Sequence, residues 1–224
     1  MRTWEDKVLY IDGEAIIIDK PAGLAVHPGA RTRESLEDYL HHLRFGFHRV
    51  PQPVHRLDRD TSGCLLLARN PKAHKAFQHA FEEKRVAKSY VAVLDGVPAA
   101  ERGTVDMPLG KVSTAAEGWR MVEDARGKQA VTHWRVAMVK EGRALVLFTP
   151  ETGRTHQIRV HAASGIGIAI AGDPVYGAGK GPMLLHALSL KVARGAKPPV
   201  EATAPLPPTF IQAGYAEDCL PLAT

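Results

Sequence analysis

The sequence predicts an α+β fold: a mixed, mainly antiparallel β-sheet with flanking helices. Three observations lead there: strand-sized apolar runs dominate, helical patterns are few and interspersed, and hairpin signals recur. In chain order, AIIID (15–19) reads as a short buried strand closed by the turn-former KPAG (20–23). In ESLEDYLHHLRF, Leu36, Tyr39, Leu40 and Leu43 recur at helical spacing, which predicts an amphipathic helix. GCLLLARN (63–70) is a strand ending at Asn70-Pro71, where Asn caps and Pro opens the next helix. That helix carries Ala73, Phe77, Ala80, Phe81 and Lys84 along one stripe. KSYVAVLDG (88–96) is a strand stopped at Asp95-Gly96, with Tyr90 at its head. AVTHWRVAMVK and RALVLFTP form an antiparallel pair joined at Glu141-Gly142. A helix is expected from about Thr155, with Ile158, Ala162 and His161 inward and Gly165 as its stop. IGIAIAGD and the run LLHALSLKV read as two further strands. The proline-rich GAKPPVEATAPLPPTF reads as an extended strap without chemistry of its own.

With 224 residues, the chain is long enough to bury a real core, and one domain spanning 1–224 (core about 8–210) is expected. The 45% hydrophobic and 24% charged composition is that of a soluble globular protein. MRTWEDKVLY lacks the basic start and apolar centre of a secretory leader, and no apolar run nears the ~20 residues of a membrane span. Cys64 and Cys219 are too few and too far apart for a disulfide framework or a metal knuckle, and two buried thiols are expected. A cytoplasmic protein without membrane association follows as the expectation. Charge is uneven. Residues 40–90 hold ten Lys/Arg against four acids, a local excess larger than the +5 of the whole chain. Such a field suits a polyphosphate partner, although a solvated basic face on an ordinary enzyme is equally compatible with it.

The chemistry concentrates in VHRLDRDTSGCLLLARN (54–70), where Arg56 and Arg59 flank Asp58 at the mouth of an apolar strand. Asp60 fits a turn-making role in DTSG. Side chains two apart in an extended segment share a face, so Arg56 can lie beside Asp58. A nearby cation keeps a carboxylate ionised, as a nucleophile or electrostatic stabiliser requires. In ETGRTHQIRVHAASG (151–165), helical spacing runs His156, Arg159 and Ala163 down one side, from which Arg159 could reach a fixed anion; periodicity alone favours an ordinary surface arginine. Tyr90 is the best-placed aromatic for holding a splayed base, while a strand tyrosine is more often core. Eleven histidines include no HExxH, and GDPVYGAGKG lacks the Lys and Ser/Thr positions of a phosphate loop. No metal and no cofactor are expected.

These stretches together resemble a family. HRLDRDTSG (55–63) is similar to the signature of the RluA-type pseudouridine synthases, RNA-modifying isomerases. DKPAGLAVHPG (19–29), KSYVAVLDG (88–96), GKQAVTHW (127–134), GRTHQIRVHAA (153–163), AGDPVYG (171–177) and LLHALSL (184–190) resemble that family in its order, over roughly residues 8–210. The resemblance implies a sheet with a central RNA-binding cleft. It also implies a reaction that breaks the N1–C1′ bond of a uridine, turns the base and rejoins it through C5. By motif position Asp58 is then the catalytic aspartate, Tyr90 packs against the uracil, and Arg159 pairs with the aspartate. Arg56 enters the space left by the flipped nucleotide, and His55, Arg59, Arg154 and His156 join it on the substrate-binding side. Fourteen residues precede AIIID, so a stand-alone catalytic domain is expected to select its own RNA, a tRNA anticodon arm, a large-subunit rRNA stem-loop, or both. The expected partner is RNA, not DNA, and the expected state a monomer. Segment 97–126 matches the family only loosely. The rival readings are a non-catalytic RNA-binding or chaperone protein that kept the fold, and a nucleoside hydrolase that would release free uracil.

Overall fold

A computed structural model describes residues 3–29, 32–114 and 118–220. The chain divides into two compact units, Met1–Lys88 with Ala187–Pro205, and Ser89–His186 with Leu206–Thr224. Both are strands with a few short helices, the α+β class that the sequence predicts. No helix among the described residues is long and apolar enough to cross a membrane.

In the first unit, β1 (Val8–Ile11), β2 (Ala15–Lys20) and β4 (Ser62–Ala68) pair in that order, and β3 (Gln52–Pro53) adds to β4. β2 and β4 run antiparallel with Ile17 opposite Leu66. Both strands are almost wholly buried, which is why they read as continuous apolar runs rather than alternating ones. Gly63 has φ +105, and a Cβ there would overlap the Ala187 carbonyl, so only glycine lets the neighbouring strand approach. α1 (Pro71–Glu82) begins as predicted: the Asn70 side chain accepts from Ala73 N–H at 2.9 Å and Pro71 sits in the first turn. Its stripe Ala73, Phe77 and Ala80 packs with Ile17, Leu66 and Val192. Burying Phe77 contributes roughly 1.5–3 kcal/mol. Lys84 lies beyond the helix with φ +57 and is exposed, so the predicted stripe ends at the half-buried Phe81. The amphipathic segment 36–43 winds as a 3-10 helix, closed at its start by a capping box between Ser35 and Asp38.

The second unit contains most of β5 (Val86–Leu94), then β6 (Arg102–Asp106), the hairpin β7 (Leu109–Thr114) and β8 (Gly118–Glu123), β9 (Val131–Lys140) and β10 (Arg143–Pro150). The order is β5-β10-β9-β6, with β7–β8 as a separate two-stranded sheet. β9 and β10 turn at Glu141-Gly142, both at positive φ, as the hairpin signal predicts. A Tyr90–Phe148 pair aligns β5 with β10, so Tyr90 sits mid-strand rather than at the head.

Four expectations need correction here. The helix after Thr155 is α2 (Gln157–Val160) continued by a π-helical turn, His161–Ile166, and it is closed by Gly167 at φ 85 rather than by Gly165. IGIAIAGD is not a strand. Ile168 N–H returns to the Ala162 carbonyl, and Ile170 makes only an isolated bridge to Leu94. A folded-back loop buries Ile170 and Ala171 and half-buries Ile166 and Ile168, and such a loop has the same hydropathy as a buried strand. The proline-rich tail is also more regular than a strap: β12 (Lys197–Thr203) pairs with β11 (Leu185–Arg194), and α3 (Pro208–Gln212) buries Phe210. Cys64 is buried, its thiol pushed up to about 12 by desolvation, whereas Cys219 is only half-buried, so the expectation of two buried thiols holds for one.

Candidate active site

Asp58 lies in the loop 54–61 that enters β4, and the chain holds this loop from beneath. Lys20, at the end of β2, is fully buried and its Nζ donates to three carbonyls: Pro21 at 2.7 Å, Leu24 at 2.8 Å and Arg59 at 3.2 Å. An ammonium has three protons to donate, and all are used. Burial pushes this lysine down to about 7, against the opposing pull of Asp60, Asp58 and Asp19. Gly23 N–H donates to the same Arg59 carbonyl at 2.9 Å, and Thr61 N–H donates to the Asp58 carbonyl at 3.1 Å. The KPAG turn and the aspartate loop are therefore one bonded piece. The Asp58 side chain itself is half-buried, beside the exposed Arg56 and Arg59. Arg59 bonds to Asp60, Nε to Oδ1 at 3.1 Å.

His55 is placed differently from the substrate-binding position expected of it. Its Nε2 accepts from Leu66 N–H at 3.0 Å, and its ring stacks on Phe81 with centroids 4.7 Å apart. An acceptor nitrogen carries no proton, and desolvation, helped by the nearby Lys88 charge, pushes the imidazole down to about 3. His55 is a neutral strut that ties the start of the loop to β4 and α1. Lys88 is itself pushed down to about 8 by burial. Of the ten cations in the 40–90 window, eight are exposed. The buried exception is Arg69, whose guanidinium donates to the carbonyls of Asp12, Arg44 and Phe45 and lies 3.7 Å from the Phe47 ring centre.

In the second unit, Tyr90 is half-buried and packs against the cluster of Phe148, Ile158 and Ala162, which brings it to the helix that carries Arg159. Arg159 is not the surface residue that helical spacing suggests. It is 4% exposed, and Asp173 grips it bidentately, Nε to Oδ2 and Nη2 to Oδ1, both at 2.7 Å. Asp173 is in turn fixed by the backbone N–H groups of Val175 and Tyr176, which donate to Oδ1 at 2.8 and 3.0 Å. Burial opposes its ionisation, but these partners hold the carboxyl below its ordinary value. Gly172, at φ +76 where a Cβ would overlap the Pro182 carbonyl, allows the turn that presents it. The Tyr176 ring lies 5.2 Å from the guanidinium, and its hydroxyl is 2.9 Å from His156 Nδ1. His156, at φ 54, precedes α2 in a left-handed conformation.

Gln157 locks the start of that helix. Its Oε1 accepts from Arg154 N–H and from the Thr152 hydroxyl, while Nε2 donates to the Val131 carbonyl and to Thr132 Oγ1. His161 faces the Met107 carbonyl through Nε2 at 3.2 Å, which requires a proton there. Desolvation keeps this ring neutral, so Nδ1 accepts from the Thr132 hydroxyl at 2.9 Å. Arg154 is exposed and its Nε donates to the Gln129 carbonyl at 3.1 Å. Sequence reasoning missed Lys20, Gln157, Asp173 and Tyr176 and placed His161 only as an inward helix residue, although each lies inside a stretch that carries the family resemblance. A groove of about 510 Å³ lies elsewhere, lined by Arg102, Thr104, His133, Arg135, Leu147 and Thr149, and none of the expected site residues line it.

A family model described as RNA pseudouridylate synthase matches residues 14–164, a span that includes the Asp58 loop, Tyr90 and Arg159. The chain belongs to the RNA pseudouridylate synthase family. It is thus an isomerase that converts uridine to pseudouridine in RNA. An uncharacterized RNA pseudouridine synthase of Zymomonas mobilis is 55% identical over 213 residues, covering 93% of this chain and 97% of that protein. The ribosomal large subunit pseudouridine synthase D of the same organism is 38% identical over 181 residues, 78% of this chain and 56% of its own length. The chain therefore spans little more than half of that relative. Among solved structures, human RNA pseudouridylate synthase domain containing 4 superposes with a TM-score of 0.79 at 26% identity, covering 94% of this chain and 92% of that one.

Proposed function

We propose that this pseudouridine synthase isomerises a specific uridine in a structured RNA, a large-subunit rRNA stem-loop, a tRNA anticodon arm, or both. The rRNA half is supported by the similarity to ribosomal large subunit pseudouridine synthases C and D of several bacteria. In this reading the two units work as one catalytic domain, a cytoplasmic monomer that needs no cofactor. The observation that carries it is the Asp58 loop: one carboxylate, half-buried, on a backbone fixed by Lys20 and His55, with exposed Arg56 and Arg59 on either side.

The uridine must leave its stack to be reached, at a cost of a few kcal/mol. Stacking on Tyr90 and occupation of the vacated space by Arg56 offset that cost. Asp58 then drives scission of N1–C1′, either by attack at C1′ or by removing a ribose proton, and Arg159 balances its charge. The base turns, C5 bonds to C1′, the C5 hydrogen leaves to solvent and N1 takes up a proton. Arg59, Arg154 and His156 contribute to holding the surrounding RNA, while His55 acts through the loop rather than on substrate.

Displacement of the C5 hydrogen supplies the assay. RNA labelled with tritium at uridine C5 releases label on incubation with the protein, and Asp58→Asn lowers release by at least about a thousandfold while RNA binding persists. Full turnover by the Asp58→Asn variant would remove Asp58 from the chemistry.

A further inference from the structure

The β7–β8 hairpin falls in the segment whose family match is loose, and it carries the exposed Trp119. Pairing of Lys111 with Met121 and of Ser113 with Trp119 puts these four side chains, with Leu109, on one face of the hairpin. At its base that face is core: Leu109 is buried, and Met121 packs against it with Val105 and Val160. One residue pair further out the same face leaves the core, and Trp119 is 46% exposed. Its ring stacks on His156 with centroids 4.9 Å apart and planes at 29°. Lys111 places its ammonium over the Trp119 ring, 5.4 Å from its centre, where an incoming base would displace it towards the phosphate. His156 touches Tyr176, and Tyr176 lies under the Arg159 guanidinium. Met121 N–H donates to the Tyr176 hydroxyl at 3.0 Å, which fixes the hairpin to this chain of rings.

We propose that Trp119 is a stacking platform for an unpaired base of the RNA substrate, with Lys111 beside it to meet the phosphate. The inference rests on the RNA-modifying reading and adds a contact outside the reacting nucleotide. A large aromatic left half-exposed, backed by an imidazole and accompanied by a cation, has the composition of a single-strand contact: a flat face for any base and a charge for its backbone. The hairpin anchor at Tyr176 keeps that platform in fixed relation to His156 and Arg159 within this unit.

The test uses the full chain and two fluorescein-labelled probes, a twelve-residue oligouridylate and the same ribose-phosphate chain without bases. Trp119→Leu and Trp119→Ala should weaken oligouridylate binding by about five- to a hundredfold, while Trp119→Phe stays within about threefold. Binding of the abasic chain should respond to Lys111→Ala and not to Trp119 changes. Quenching of tryptophan fluorescence on adding oligouridylate should be present in the unsubstituted protein and largely lost in Trp119→Phe, a readout that does not depend on the smaller variants folding. If Leu binds as well as Phe, if the abasic chain is equally affected, or if quenching survives in Trp119→Phe, the platform is refuted. Tritium release from labelled RNA keeps the two readings apart: turnover without the Trp119 effects sinks only the platform, and absence of turnover in a folded protein sinks the reaction.

Discussion

The chain holds the two side chains to which the proposed reaction assigns the chemistry in opposite ways. Asp58 is controlled through its backbone: Lys20, Gly23 and Thr61 bond the carbonyls around it, His55 ties down the start of the loop, and the carboxylate is left half-buried. Arg159 is controlled through its side chain: the guanidinium is bound by Asp173, covered by Tyr176 and almost removed from water. The contrast suits the role proposed for each group. A carboxylate that acts on ribose must offer its oxygens to substrate, so rigidity has to come from behind it. A cation that acts by its charge gains from fixed orientation and from burial, because a desolvated charge is felt more strongly than a hydrated one.

The widest gap between the two is expected on breaking the Arg159 grip. Asp173→Ala leaves a buried guanidinium without its bidentate partner and should cost about 3–5 kcal/mol in urea unfolding, together with most of the turnover. Asp58→Asn, by contrast, should abolish turnover with stability nearly unchanged. A stable Asp173→Ala protein would show that the grip on Arg159 is dispensable to folding. The backbone mode is tested next by Lys20→Met, which keeps the volume but abandons three carbonyls, at a cost of about 3 kcal/mol. Turnover should fall while affinity for RNA changes little, since Lys20 is buried beneath the loop. Intact turnover in a destabilised Lys20→Met protein would separate loop rigidity from catalysis.

The two modes also differed in how far they could be read from sequence. Asp58 was legible because its charged neighbours stand next to it in the chain and the strand after it is plainly apolar. Arg159 was legible by family resemblance but not by periodicity, which placed it at the surface; its partner lies 14 residues on, at the end of a loop whose hydropathy imitates a strand. Lys20 looked like the polar end of a strand at a KPAG turn, since one of the carbonyls it binds comes from 39 residues away. The N-cap of α1, the β9–β10 hairpin and the paired apolar strands were all readable, because each is decided by neighbours or by a short repeat. What escaped was long-range polar pairing, where a residue's type is set by a partner that no local pattern reveals. His55 shows the same limit from the other side: its place in the motif suggested substrate contact, and only Leu66 and Phe81 reveal a strut.

The smallest expected effect isolates that strut through pH. In the folded chain His55 titrates near 3, against 6.5 for an unhindered imidazole. Between those values the unfolded chain binds a proton that the folded chain refuses, so stability declines as pH falls from about 6.5 towards 3. Between pH 7 and 5 the loss should be about 1–2 kcal/mol from this residue. Carboxyls held low in the folded state, Asp12 and Asp173 among them, lose their contribution only as pH drops through the unfolded carboxyl range near 4, so a window above pH 5 separates the two. His55→Gln retains an oxygen to accept from Leu66 N–H but takes up no proton. Its urea midpoint should change less between pH 7 and 5 than that of the unsubstituted protein. An unaltered slope would mean that His55 is protonated in the fold, leaving Leu66 N–H without its acceptor and the aspartate loop without this strut.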